Sequence, residues 1–401
     1  MLVPTRRPRA ARRLVPLVTA GALLALPVLS GCTDNTRTTS TEGTADPRAL
    51  TVAASDTACA VSGTEAPSGK LTFTVSNSGS KINEFYLLAG DGLRILGEVE
   101  NIGPGITRDL VLTAPAGSYF TACKPGMVGD GIRAPFTVAE SSDGGAAASA
   151  DDGELVAAAN ANYASYVRDQ TDQLLSKTEE FAAAYSDGDD AKARALYPVA
   201  RTHWERIETV AESFGDLDPK MDLREADLEQ GQKWTGWHRI EKDLWPARAK
   251  GYTALSTAQR STYADDLVKN TKTLHERTRD MTFTVDQIAN GSRGLLDEVA
   301  TGKVTGEEEY WSRTDLYDFQ ANVDGARIGF EGLRPILATK DKALDGQLET
   351  RFTELQTLLD QQKSGDGFKS YDDVSKSDIK ALSDAVNALA EPLSKLTAAV
   401  S

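Results

Sequence analysis

The sequence predicts two folded domains of different class, a small β-sandwich followed by an α-helical bundle. Residues 50–138 contain short alternating apolar segments punctuated by Gly and Pro, a pattern typical of antiparallel strands. From residue 153 onward apolar residues recur at helical spacing up to the C-terminus, residue 401. The segment between them, 139–152, is rich in Ala, Ser, Asp and Gly and is predicted to be a linker.

The N-terminal segment, residues 1–31, is predicted to be a lipoprotein signal peptide. It carries five Arg, then an apolar run over 14–29 that is short for a membrane span of about 20 residues. The run ends in Leu29-Ser-Gly-Cys32, which resembles a lipobox. We therefore expect acylation of Cys32, a flexible tether over 32–49, and anchoring to the outer face of the cell membrane. The alternative is ordinary signal cleavage with Cys32 as an incidental thiol.

The charge of the chain limits its partners. The whole sequence has 44 Lys and Arg against 59 Asp and Glu, a formal net charge of −15. Without the five Arg of the predicted signal peptide, 39 bases stand against 59 acids, which gives −20. A field of this sign repels nucleic acid and attracts cations. Nucleic acid is therefore not an expected partner.

The β region contains six strand candidates with turn signals between them. They are Leu71–Val75, Phe85–Leu88, Leu93–Leu96, Asp109–Leu112, Ser118–Ala122 and Ala134–Val138. Residues 50–138 contain no His, whereas a blue-copper centre needs two. If Cys32 is lipidated, Cys59 and Cys123 remain, and an even pair outside the cytoplasm favours a disulfide.

The helical region is predicted to contain several helices with short connections, which indicates one or two bundles. The predicted helices are 154–185, 191–214, 235–244, 257–280, 284–300, 306–325, 342–362 and 376–400. The stretch 215–231 is acidic and is predicted to be irregular.

Two segments of the helical region carry residues that could bind a metal. Glu205 and Glu208 are three apart on one predicted helix, and so are His238 and Glu241 on another. If these helices face each other, one imidazole and three carboxylates can reach one cation, a ligand set that suits Fe, Mn or Zn. The alternative is that both pairs lie on solvated helix faces. Neighbouring tryptophans such as Trp204 and Trp237 indicate burial, and buried carboxylates need a cation or protons.

Several motifs resemble one family. Gly236-Trp-His-Arg-Ile-Glu241 is similar to the Gly-x-His-x-x-Glu motif of the imelysin-like family. The stretches 201–218, 314–325 and 100–105 resemble the EfeO family of iron-uptake lipoproteins. The resemblance extends from about Cys59 to the C-terminus, with both domains in the same order.

This resemblance implies a fold, a function and partners. It implies a cupredoxin-like β-sandwich over 50–138 and an imelysin-like helical domain over 153–401. It implies iron delivery, with a membrane permease and a haem peroxidase as partners in the same uptake system. Iron as Fe²⁺ or Fe³⁺ is the expected ion, with Cu²⁺ or Zn²⁺ as alternatives.

The same resemblance assigns candidate site residues. His238 and Glu241 match the family motif, and Glu205 and Glu208 match the acidic helix facing it. In the β domain Cys59, Glu84 and Cys123 occupy the positions of a proposed metal site. That assignment competes with a Cys59–Cys123 disulfide, because a ligand sulfur must be a thiolate.

The runner-up function is a metal-dependent peptidase, because imelysin-like proteins have been classed as peptidases. A zinc protease usually shows His-Glu-x-x-His, which this sequence lacks. It also lacks a Gly-x-Ser-x-Gly elbow and a Gly-rich phosphate loop. Metal binding without catalysis is therefore the first expectation, a hydrolase the second, and a purely structural envelope protein the third.

Overall fold

A computed structural model describes residues 46–92, 95–126, 129–141 and 152–400. The predicted signal peptide, Cys32, most of the tether and most of the 139–152 linker lie outside these residues. Within the described ranges the chain forms a β region followed by an all-α region, as the sequence predicts. Among these residues no helix has both the length and the apolar composition needed to cross a bilayer.

The β region consists of two sheets that share one core. Its strands are β1 (Ala49–Ala54), β2 (Cys59–Val61), β3 (Glu65–Pro67), β4 (Gly69–Asn77), β5 (Asn83–Ala89), β6 (Ile95–Ile102), β7 (Thr107–Ala114), β8 (Gly117–Cys123) and β9 (Ile132–Ala139). The strand order is β2-β1-β4-β7 in one sheet and β3-β9-β8-β5-β6 in the other. All pairs are antiparallel except β1 with β4 and β3 with β9.

Alternation along the strands builds the core between the sheets. In β4 every second residue is buried, and Phe73 packs against Phe85 and Phe136 of the facing sheet with ring centroids 5.2 and 5.6 Å apart. Each of these aromatic side chains removes a large apolar area from water. All six strand candidates fall on observed strands, although residues 93 and 94 are outside the described ranges.

Cys59 and Cys123 form a disulfide, with Cα atoms 5.6 Å apart. The bond joins the start of β2 to the end of β8 and therefore links the two sheets. In this state neither sulfur is a thiolate, so the Cys59–Glu84–Cys123 metal site does not form. Glu84 is buried and its Oε2 accepts a hydrogen bond from the Tyr86 hydroxyl at 2.6 Å.

We expect the Cys59→Ala/Cys123→Ala variant to unfold at lower urea concentration than the wild type. The disulfide closes a long loop, since its cysteines are 64 residues apart, and its loss should lower the free energy of unfolding by about 2–4 kcal/mol. Urea denaturation followed by circular dichroism measures this. Reduced wild type is the control, and equal midpoints for oxidised and reduced protein would contradict the expectation.

The α region contains ten helices among the described residues. They are α1 (Asp152–Ser186), α2 (Asp190–Glu205), α3 (Asp218–Met221), α4 (Trp237–Leu244), α5 (Thr257–Thr278), α6 (Val285–Thr301), α7 (Asp315–Lys340), α8 (Lys342–Asp360), α9 (Lys376–Leu393) and α10 (Leu396–Val400). A short hairpin follows α8, and its strands, β10 (Lys363–Ser364) and β11 (Gly367–Phe368), have two residues each. One large apolar core joins these helices, with Phe181, Trp204 and Trp237 among its fully buried side chains.

Two helix predictions are wrong in ways that matter for the site. The predicted helix 306–325 begins only at Asp315, because Gly306 and Arg313 have positive φ angles of 74° and 63°, which an α-helix does not allow. The predicted helix 191–214 ends at Glu205 and continues as a distorted 3₁₀ segment, Glu208–Leu217. Both errors convert expected helix into irregular backbone that carries acidic side chains.

The β region is joined to the helices through buried polar groups. Lys124, next to the disulfide, forms a buried ion pair with Asp169 of α1. Asp169 Oδ2 also accepts hydrogen bonds from Gln170 and Gln173. Gln170 Oε1 in turn lies 3.0 Å from Nδ1 of His203 on α2. This chain of contacts extends from the end of β8 to α2, one of the helices that build the candidate site.

His203 makes the stability of the protein dependent on pH. Burial, with a smaller contribution from Arg206, lowers the pKa of His203 to about 3, whereas an unfolded His titrates near pH 6.5. At intermediate pH the unfolded chain therefore binds a proton that the folded chain does not bind. The free energy of unfolding falls as the pH drops from about 6.5 towards 3.

Between pH 7 and 5 the free energy of unfolding of the wild type should fall by about 2 kcal/mol more than that of His203→Gln. Urea denaturation at both pH values measures this difference. Equal losses in the wild type and in His203→Gln would contradict the role of His203.

Candidate metal centre

A glycine sets the position of the helix that carries His238. Gly236 precedes α4 with a φ of 86°, and a Cβ there would lie 2.1 Å from the carbonyl oxygen of Met221. Only glycine allows this approach. The hydroxyl of Thr235 donates to the Lys220 carbonyl at 2.8 Å and holds the same two segments together. The first turn of α4 is therefore pressed against the end of α3, where Asp222 follows.

The imidazole of His238 is fully buried and its Nε2 atom faces two carboxylates. Asp222 Oδ1 lies 3.4 Å and Glu308 Oε1 3.5 Å from Nε2. Among the described residues Nε2 has no hydrogen-bond partner of normal geometry. Ligand atoms held at ~2.1 Å around a four-coordinate metal are about 3.4 Å apart. The three groups thus have the spacing of metal ligands, and Asp222 Oδ1 also contacts the guanidinium of Arg201.

The opposite side of the ring is more closely filled. Glu241 Oε2 lies 3.4 Å and Glu309 Oε1 3.8 Å from His238 Nδ1. Glu241 Oε1 accepts hydrogen bonds from the backbone amides of Trp311 and Ser312 at 2.8 and 2.6 Å. His238, Glu241 and Glu309 form a second group with metal-like spacing in the part of the chain described. Both oxygens of Glu241 have partners, as do both oxygens of Asp222 in the first group.

Arg201 of α2 lies at the centre of the acidic cluster and is fully buried. Its guanidinium forms ion pairs with five carboxylates. They belong to Glu205, Asp222, Glu308, Glu309 and Asp318. Asp222 Oδ2 also accepts a hydrogen bond of 2.7 Å from the indole of Trp204. These contacts fix the carboxylates that face the imidazole.

Glu205 and Glu208 lie in the same cluster but contact a lysine. Lys303 Nζ is 2.5 Å from Glu205 Oε2 and 2.6 Å from Glu208 Oε2. The amide nitrogen of Asn322 donates to both oxygens at 2.9 Å. Of the four residues expected from the sequence, the structure therefore brings His238 and Glu241 together and turns Glu205 and Glu208 towards Lys303.

A cavity of about 270 Å³ is lined in part by Asp222 and Glu308, the two carboxylates that face His238 Nε2, whereas His238 itself is not among its lining residues. Six acidic and two basic side chains line it. They are Glu208, Asp218, Asp222, Asp227, Glu298, Glu308, Arg224 and Lys303. Arg224 forms ion pairs with Asp227 and Glu308, and Lys303 with Glu208. Both cations in the wall are thus paired, and the lining keeps a negative excess that attracts cations.

The protonation of the cluster reflects this excess of acids. Burial raises the pKa of Asp318 to about 8 and raises the pKa values of Glu208 and Glu309 well above their ordinary range. Although burial opposes ionisation, Lys303 and His238 lower the pKa of Glu308 to about 2. Burial and the nearby Arg201 disfavour the imidazolium, but the facing carboxylates of Asp222, Glu241 and Glu308 raise the pKa of His238 well above its ordinary value. Protons thus supply part of the neutralising charge.

The sequence patterns do not identify Asp222, Glu308 and Glu309 as members of the cluster, nor the two cations Arg201 and Lys303. The acids lie in irregular segments, where no helical spacing links them to His238. The acidic composition of 215–231 and the run Glu307-Glu-Glu309 were the available signals. The run Glu307-Glu-Glu309 falls in the predicted helix 306–325, and a helix would place its carboxylates on a helix face.

Comparison with known proteins identifies the family to which this chain is related. Residues 159–396 match the family model of imelysin, peptidase family M75. A protein of Staphylococcus haemolyticus strain JCSC1435, described as an Efem/EfeO family lipoprotein, is 46% identical over 241 residues, 59% of this chain and 82% of the relative.

 A second relative of the same description, from Staphylococcus aureus strain MRSA252, is 45% identical over 253 residues, 61% of this chain and 87% of that relative. The chain belongs to the Efem/EfeO family of imelysin proteins.

Membership of this family confirms the resemblance stated from the motif. The structure confirms the predicted fold class of a β region followed by helices. In this family member the glycine of Gly-x-His-x-x-Glu permits the contact with Met221, the histidine faces Asp222 and Glu308, and the glutamate binds the other side of the ring. The family model carries a peptidase name, whereas the relatives are described as lipoproteins.

Proposed function

We propose that this protein binds an iron ion outside the cell membrane and delivers it to a membrane permease. The observation that carries the proposal is the buried Nε2 atom of His238, which faces carboxylate oxygens of Asp222 and Glu308 at 3.4 and 3.5 Å. One imidazole and two carboxylates are ligands that suit iron. Membership of the Efem/EfeO family supports iron over Zn²⁺ or Cu²⁺ as the cargo.

The cavity provides the route to these ligands. Asp222 and Glu308 line it, whereas Glu241 and Glu309 are not among its lining residues. A cation that enters through the cavity therefore meets the carboxylates of Asp222 and Glu308 before the imidazole behind them. Three protein ligands leave further coordination positions for water, so the ion is held without a closed cage. Such a site suits a carrier that must release its cargo.

In this proposal Glu241 orients the imidazole. Its Oε1 is held by two backbone amides and its Oε2 faces Nδ1. A carboxylate on one ring nitrogen fixes the tautomer that leaves the other nitrogen available to a metal. Glu241 thus acts through His238, and Glu309 is held in a similar way by Arg201 and the hydroxyl of Ser312.

The proposal includes export and anchoring. Acylation of Cys32 would hold the protein at the outer face of the membrane, and the 32–49 tether would let it reach a permease. A haem peroxidase completes the proposed uptake system. The relatives' description as lipoproteins supports this arrangement.

The runner-up, a metal-dependent peptidase, needs a general base near the metal-bound water. Glu241, the acid of the family motif, accepts hydrogen bonds from Trp311 and Ser312 and faces the ring of His238. Both of its oxygens thus face donors, and Glu241 is not among the residues that line the cavity. This geometry favours binding over hydrolysis.

Replacing any of the three proposed ligands should weaken iron binding. We expect Asp222→Asn, Glu308→Gln and His238→Ala each to lower Fe²⁺ affinity at least tenfold, because each removes one donor atom from a three-residue site. Anaerobic titration calorimetry measures the affinity, with Zn²⁺ and Cu²⁺ as competing ions. His203→Gln is the matched control, since it replaces another buried histidine outside the cluster. Wild-type affinity in all three variants would end the proposal.

Glu241→Gln should have a smaller effect than His238→Ala. The substitution keeps an acceptor for the backbone amides but weakens the interaction with Nδ1, and loss of such a support costs about 10–100-fold in metal affinity. Calorimetry on the two variants under identical conditions measures the ratio. If Glu241→Gln abolished binding as fully as His238→Ala, Glu241 would be a direct ligand.

A further inference from the structure

The segment 233–250, which contains His238, carries its bases outside and its acids inside. It holds five of the 44 Lys and Arg of the sequence but only two of the 59 Asp and Glu. Both acids, Glu241 and Asp243, are buried. The five bases are exposed or partly exposed, and together they define what we call the basic surface. They are Lys233, Arg239, Lys242, Arg248 and Lys250.

Aromatic rings connect the bases at the centre of the basic surface. The ring of Trp234 contacts both Arg239 and Lys242, with its centroid 5.5 and 5.6 Å from the two charges. Lys242 also lies 5.2 Å from the ring of Trp311, which contacts the ring of Tyr310. Tyr310 is 59% exposed. Since protein interfaces are enriched in Arg, Tyr and Trp and depleted in Asp and Glu, this composition is typical of a docking surface.

Most of the positive charge of the basic surface is available to a partner. Three of its bases have no carboxylate partner among the described residues. They are Lys233, Arg239 and Lys250. Lys242 pairs with Glu225 and Arg248 pairs with Asp372, and both acids are exposed. Because exposed ion pairs contribute little to stability, an anionic partner can replace these two acids at small cost.

The basic surface borders the cavity that contains the proposed ligands. Leu223 lines the cavity, and its carbonyl accepts a hydrogen bond of 2.7 Å from the indole of Trp234. Tyr310 follows closely after Glu308, which also lines the cavity. A partner bound to the basic surface therefore lies beside the cavity through which the ion would pass.

We propose that the basic surface docks a carboxylate-rich segment of the protein that accepts the ion. The inference rests on the proposed function and names the chemistry of its acceptor. An acceptor that takes iron from carboxylates needs oxygen ligands of its own, and carboxylates suit this role. The chain as a whole has a net charge of −15 and repels such an acceptor, whereas the basic surface attracts it. The charges therefore determine which face the acceptor meets.

A fluorescein-labelled peptide rich in glutamate, with interspersed leucines, is the probe. Fluorescence anisotropy measures its binding to the full chain in the presence of chelator. Lys233→Gln combined with Lys250→Gln should lower the affinity about fivefold, because two exposed charges are lost without a change in packing. The affinity of the wild type should also fall as the salt concentration rises.

Lys70→Gln combined with Lys81→Gln is the matched control. It removes the same amount of charge from exposed positions in the β region and should leave the affinity for the peptide unchanged. Equal losses in the two double variants would show that only net charge matters and would overturn the inference. Absence of peptide binding by the wild type would overturn it as well.

Two further probes test the class of partner. Polygalacturonate presents carboxylates on a polysaccharide, and phosphatidylglycerol vesicles present phosphates on a membrane. The peptide should bind more tightly than either at equal ionic strength, because its leucines can pack against Tyr310 and Trp234. Tighter binding of the polysaccharide or the vesicles would overturn the choice of a protein partner.

The same measurements separate this inference from the proposed function. A chain that binds Fe²⁺ in calorimetry but does not bind the peptide keeps the iron site and loses the docking surface. A chain that binds the peptide but no Fe²⁺ keeps the docking surface, and the role of its partner as an iron acceptor is then wrong.

Discussion

The site depends on a single buried positive charge, the guanidinium of Arg201. It forms ion pairs with five carboxylates contributed by α2, the residue after α3, the 306–314 segment and α7. Burying an arginine is costly unless its donors are satisfied, and removing one partner of such a network leaves an uncompensated charge. Arg201 therefore fixes the relative positions of segments that no continuous helix connects, and the imidazole of His238 lies among them.

The remaining acids exceed the bases, and this imbalance links stability to function. Seven buried or nearly buried carboxylates surround Arg201, Lys303 and His238. They belong to Glu205, Glu208, Asp222, Glu241, Glu308, Glu309 and Asp318. Burial raises the pKa of Asp318 to about 8 although Arg201 lies beside it, so a proton neutralises this carboxyl near neutral pH. A metal ion between Asp222 and Glu308 would supply the same charge through bonds to oxygen, which is why binding a cation agrees with the fold.

The sequence predicts the fold class and the motif but not the full set of ligands. Helical spacing identifies residues on one face, and it correctly joined His238 with Glu241. Helical spacing does not show which residues lie opposite that face. The sequence therefore predicts Glu205 and Glu208 near the imidazole, whereas in the structure they contact Lys303. Irregular backbone has no period, and Asp222 and Glu308 lie on such backbone. The positive φ of Arg313, which separates Glu308 from α7, has no signature in the sequence.

The division of ligands between rigid and irregular backbone bears on release. His238 lies on α4, where Gly236 and the core contacts of Trp237 fix the helix. Asp222 and Glu308 lie on segments outside the long helices, which can rearrange without breaking helical hydrogen bonds. In the proposed function the ion would leave when these two carboxylates move, while the core and the imidazole stay in place. Lys303 lies between α6 and the segment that carries Glu308, and its ion pairs with Glu205 and Glu208 tie the start of that segment to α2 and to the 3₁₀ segment that follows it.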